Sequence, residues 1–215
     1  MKRVAAMLSA GLAALSIAGC SEEAPGEGAT SEFSVSGTVE PTSQSVPSGS
    51  VLPHSGAPAV ANPLPESVLS DHPCDVLTPE QVREALGSGV STGSPSDLEQ
   101  VGPGCDWGNT ETLGGMQIGF STVSRAGLSA QYANTKPQVA IFRELPSVGG
   151  FPAVAFKASE NDRICTVAVG IADEYSITST VGLSAEKEAE GVDSCVPAEK
   201  VAEMVVGNLK AKAGE

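Results

Sequence analysis

Two histidines, five cysteines and scattered carboxylates are the residues of this 215-residue chain that could do chemistry. His54 lies in a Pro- and Ser-rich stretch, and His72 stands at the edge of the patterned region. Neither has a nucleophile and a carboxylate arranged around it as Ser–His–Asp or Cys–His catalysis requires. Glu186, Glu188, Glu190 and Asp193 are the densest acidic group, but Lys187 interrupts them and glycines flank the stretch. A calcium site needs six to eight converging oxygens, so this group reads as a solvated loop. Glu160-Asn161-Asp162 reads as a hairpin turn. The run Gly87-Ser88-Gly89-Val90-Ser91-Thr92-Gly93 suggests a phosphate loop, but it follows a helix and lacks the lysine such a loop needs. Asp106 beside Trp107 is a candidate pocket lining, and the single indole equally suits core packing against a disulfide. No catalytic residue, metal ligand or cofactor is expected from this set.

The cysteines carry more information. Lys2 and Arg3 open the chain, and Val4 to Ala18 follows without a charge. A charged start, an apolar centre and a small-residue exit make a secretory signal peptide. The apolar run is short of the roughly 20 residues a membrane span needs. Leu15-Ser16-Ile17-Ala18-Gly19-Cys20 resembles a bacterial lipobox. The resemblance implies cleavage before Cys20 and lipidation of its sulfur. A second acyl chain then makes anchoring stable, because one chain at about 0.8 kcal/mol per buried CH₂ is marginal. Residues 1–19 are therefore expected to be the signal, and the mature protein is expected on the outer face of the cell membrane.

Composition narrows the partners. Removing Lys2 and Arg3 from 12 basic residues leaves ten against 26 acidic, a net charge of −16. Such a protein repels phosphate backbones, so nucleic acid is not an expected partner. Anionic lipid gives it no electrostatic hold either, which leaves the anchor as its membrane contact. Four cysteines remain after Cys20, an even number in an oxidising compartment, and read as two disulfides.

The elements follow in order. Residues 20–70 hold the lipidated cysteine and a stretch dominated by Pro, Ser, Gly, Thr and Glu with no hydrophobic period, expected to be a disordered tether. A folded domain is expected over 71–215. Thr78, Pro79 and Gln81 form a helix start with a capping box, and Gly87 ends a helix over 79–86. Cys105-Asp106-Trp107 opens a strand, and Met116, Ile118 and Phe120 alternate with polar or small residues along another. Residues 127–134 can form a helix. Strands over 153–158, 163–171 and 174–181 read as an antiparallel meander. From Pro197, Val201, Val205 and Leu209 recur at four-residue steps along an amphipathic helix. The expected fold is α+β, a mostly antiparallel sheet with flanking helices.

Cys74-Asp75-Val76-Leu77-Thr78-Pro79-Glu80 and Gly104-Cys105-Asp106-Trp107, with Ile164-Cys165-Thr166-Val167 and Asp193-Ser194-Cys195, resemble an actinobacterial lipoprotein family, domain of unknown function 3558. The resemblance spans about residues 71 to 210. It implies a tethered surface lipoprotein and brings no established activity. The element order is also similar to the Mog1/PsbP type of sheet with flanking helices. Of three possible cysteine pairings, Cys74–Cys105 and Cys165–Cys195 are expected. Close Cys-x-x-Cys spacing for zinc is missing. The expected role is a non-catalytic binding or accessory module of the envelope, with a ligand or protein partner the sequence does not name. The alternative is an envelope hydrolase with an unrecognised Ser/Lys or carboxylate site.

Overall fold

Apolar side chains that alternate along residues 104–182 build one antiparallel sheet. The computed structural model describes residues 51–215. The signal segment, Cys20 and the tether as far as residue 50 lie outside them. The strands are β1 (Ser94–Pro95), β2 (Gly104–Asn109), β3 (Gly114–Ser121), β4 (Ile141–Val148), β5 (Phe151–Lys157), β6 (Ile164–Gly170) and β7 (Ser176–Gly182). Their spatial order is β1-β2-β3-β7-β6-β5-β4, so two meanders meet along β3 and β7. Both edges are blunted against further pairing. β1 is two residues long and ends in Pro95, and β4 carries Pro146 at a register shift.

One face of the sheet holds the main core. Cys105, Trp107, Ile118 and Phe120 line up with Val167, Val169, Ile177 and Val181 on this face. Helix α4 (Cys195–Ala213) lies across it and buries Val201, Val205, Val206 and Leu209. Each such side chain stabilises by about 1.5–3 kcal/mol on burial. Ala198 and Ala202 have no exposed surface and let the helix sit close, where Ser179 Oγ donates to the Ala198 carbonyl at 3.1 Å. Helix α1 (Pro79–Leu86) closes the β2–β3 end of this face. Its Thr78–Gln81 capping box is formed as the residues dictate, and Gly87 takes the left-handed φ of +85° that ends the helix. Gln81 also exchanges hydrogen bonds with Asn208 of α4 at 2.7 and 3.3 Å, so the capping residue docks the helix as well.

Among the described residues, the opposite face is covered over β4–β6. Helix α2 (Gly127–Ala130) continues as a π-turn over Gln131–Thr135, and places Leu128 and Tyr132 against Val154, Ala168, Phe142 and Phe156. Towards β2 the row from Thr180 through Gln117 to Asp106 is polar.

Three expectations need correction. The folded body does not begin at Asp71. Residues 51–70 pack on the sheet, with Leu64 and Val68 each 2 % exposed, and the Leu64 amide donates to the Ile171 carbonyl at 2.8 Å. A 3-10 turn over Glu66–Leu69 is held from α4 by the Lys212 ammonium, which reaches the Val68 carbonyl at 3.1 Å and Asp71 at 2.7 Å. Strand β4 adds a fourth member to the expected three-strand meander. The acidic loop contains a short helix, α3 (Ala185–Ala189), capped by Ser184 Oγ accepting from the Lys187 amide at 3.3 Å.

Candidate functional site

The four domain cysteines form the expected pairs. Cys74–Cys105 joins the turn before α1 to β2, with Cα atoms 5.1 Å apart, and Cys165–Cys195 joins β6 to the first residue of α4 at 5.0 Å. They are cross-links. Asp106 and Trp107 do not share a pocket, because adjacent strand residues point to opposite faces. Trp107 is 5 % exposed in the main core, while Asp106 sits on the polar face opposite Gln117.

The histidines are engaged elsewhere. His72 Nδ1 accepts the Cys74 amide at 3.2 Å. That bond puts the ring proton on Nε2, which donates to Asp97 at 3.2 Å. Both nitrogens are then used, and neither is left to take a proton from a nucleophile. His54 meets its neighbour Ser55 at 3.0 Å, and its backbone amide donates to Ser129 Oγ at 2.9 Å.

The acidic group of α3 and the following turn disperses onto cations. Glu188 faces Arg163 at 3.4 Å, Glu190 takes Lys187 at 2.9 Å, and Asp193 takes Lys157 at 2.9 Å. Among the described residues no three His, Cys, Asp or Glu side chains converge as a metal site. Lys157 is 6 % exposed in its side chain, so its ammonium depends on Asp193. The Cys195 amide, then Lys157 and Arg143, hold the Asp193 carboxyl below its ordinary range. Lys157, Arg163, Glu188 and Asp193 line a polar recess of about 380 Å³ between the β5–β6 turn and the α3 turn.

Next to it, across Leu183 and Val192, opens a cleft of about 450 Å³. The end of α1, the end of β7, α3 and the first two turns of α4 form its walls. Leu86, Val181, Leu183, Val192, Val196 and Pro197 make the surface apolar. Its size falls in the roughly 300–1,000 Å³ range of small-molecule sites, and apolar walls with few polar groups are their usual lining. Two cations stand among those walls, Lys187 from α3 and Lys200 from α4. Lys187 is paired with Glu190, whose carboxylate holds the ammonium's pKa above its ordinary value. Lys200 reaches Glu84 of α1 at 2.7 Å. Sequence reasoning does not find this site. Its lining runs from Ala85 to Lys200, and no local pattern links them before the sheet brings β7 between the two helices.

A family model described as Protein of unknown function (DUF3558) matches residues 15–208. No curated protein and no solved structure matches the chain.

Proposed function

We propose a function for this chain from the premise that it belongs to the DUF3558 family of proteins of unknown function: a lipid-anchored envelope protein whose domain binds an apolar small molecule without transforming it. The observation that carries the binding is the cleft of about 450 Å³ between α1, β7, α3 and α4, open and walled by aliphatic side chains. A site left this apolar in water gains by covering its walls at about 25 cal/mol per Å². The absence of catalysis rests on how the tunable groups are used. Both nitrogens of His72 are occupied, the four domain cysteines are oxidised, and Glu84, Glu188 and Glu190 are tied to lysine or arginine.

The anchor rests on Cys20 and the lipobox around it. Among the described residues no helix is long and apolar enough to cross a membrane. Cys20→Ala is expected to leave the protein in the medium or unprocessed, with the domain folded. Membrane fractionation checks this, and a processed variant that stays with membranes overturns it.

The binding reading is tested with a neutral fluorescent probe, N-phenyl-1-naphthylamine, added to the mature chain. Ala85→Trp puts a large ring into the cleft from a half-buried position on α1. The variant is expected to keep its far-ultraviolet circular dichroism and lose most of the probe fluorescence. Equal fluorescence in both proteins would show that the probe sits elsewhere and would sink the proposal.

A further inference from the structure

The cleft's charge runs against that of the chain. Acidic residues outnumber basic ones by 26 to 12, yet the lining of the cleft holds two lysines and no aspartate or glutamate. The two ammonium groups come from different walls, α3 and α4. Their carboxylate partners, Glu190 and Glu84, are about half exposed, at 49 % and 54 %. Exposed pairs of this kind are weak and screened by water and salt. An anion entering from solvent can take either lysine without opening the core. Lys157 and Arg163, in the recess next door, are differently placed. One is buried against Asp193, and the other donates to the Leu113 and Leu183 carbonyls, so both are committed to the fold.

The apolar part is one open trough of about 450 Å³, within the roughly 300–1,000 Å³ range of sites that take a single small ligand.

We infer that the cleft takes a single-chain anionic amphiphile, its chain along Leu86, Val181, Leu183 and Val196 and its head group between Lys187 and Lys200. The inference rests on the binding reading above and adds the class of ligand. The head group is a carboxylate or a phosphate monoester, since an ammonium pairs with either as a point charge.

The test measures binding of dodecanoate, dodecyl phosphate and dodecanol to the mature chain carrying Cys20→Ser, which removes the protein's own acyl chains from competition. Titration calorimetry runs below the micellar range. The same three ligands are titrated into Lys187→Met/Lys200→Met, whose substituted positions are 54 % and 62 % exposed and leave folding intact. At least one anion is expected to bind about tenfold or more tightly than the alcohol. The double variant is expected to abolish the preference, so that it binds that anion no more tightly than it binds dodecanol. The anion that binds more tightly names the head group. If dodecanol binds as well as both anions, or if the double variant keeps the preference, the inference falls while an apolar site stands. If none of the three binds, both fall.

Discussion

Leu183 and Val192 separate two hollows of similar size and opposite chemistry. On one side, a recess of about 380 Å³ is lined by Lys157, Arg163, Glu188 and Asp193. Lys157 pairs there with Asp193 and Arg163 with Glu188, and Lys157 is buried, so these two pairs act as an internal clamp. On the other side, the cleft of about 450 Å³ is aliphatic, and its two cations stand outside the core with exposed partners. The recess therefore binds the turn after α3 to the sheet. The cleft is the hollow with unmet surface, and it exists because that turn is held in place.

The strongest way to break this division is to remove the cross-link behind the shared wall. Cys195 follows Asp193 by two residues and fixes the start of α4 to β6. Its loop of 30 residues predicts a loss of about 3–4 kcal/mol for Cys165→Ser/Cys195→Ser in the chain-entropy model. At roughly 2–4 °C per kcal/mol for a domain of this size, Tm should fall by about 6–16 °C. Scanning calorimetry of variant and parent checks it. A fall of a degree or two would mean that packing of α4 alone fixes the wall.

A smaller effect sharpens the clamp. Asp193→Asn leaves the Lys157 ammonium buried without a counter-charge and is expected to cost about 1–3 kcal/mol. The figure is below that of a fully buried pair because Asp193 is 40 % exposed. Lys157→Met should cost less, since it removes the charge that needs a partner. Asp193 also predicts the pH dependence. Its folded pKa lies below the ordinary 3.8, so its contribution is fully present above that value. It is lost as pH falls through the depressed folded value. Urea unfolding of parent and Asp193→Asn should therefore stay apart at pH 6, begin to draw together as pH falls below about 3.8, and meet only below the depressed folded value. A constant gap across that range would break the assignment.

The same contrast explains what was legible in the residues themselves. Thr78-Pro79-x-Gln81 and Gly87 act locally, so helix α1 was readable end to end. Met116, Ile118 and Phe120 bury one side of a central strand, and their alternation was visible for that reason. Strand β4 is an edge with a bulge after Leu145, and most of its residues are half-buried or exposed, so no clean period survives in Ile141–Val148. Residues 51–70 fail differently. Val60, Leu64 and Val68 fill sites on the core one at a time, the first two from irregular backbone between prolines and the third from a single 3-10 turn, with no period to report them. Two disulfides are expected from an even cysteine count in an oxidising compartment, whereas no residue pattern announces the cleft. Its walls belong to four elements, and only their packing makes an apolar surface continuous.

The last substitution separates binding from stability. Val196 is 62 % exposed and lines the cleft as the second residue of α4. Val196→Asp removes little buried area, and a carboxylate in the first turn of a helix is favoured by the macrodipole. Its effect on unfolding should therefore lie within about 0.5 kcal/mol of zero. The same change puts a desolvation cost in the path of an apolar chain and a negative charge among walls where Lys187 and Lys200 stand. Affinity for dodecanol should fall, and affinity for dodecanoate should fall further, by about tenfold or more. Isothermal titration beside a denaturation curve reads both. A variant that binds both ligands as its parent does would place the ligand outside the cleft. A variant that loses both equally would keep the cleft and remove the anion from it.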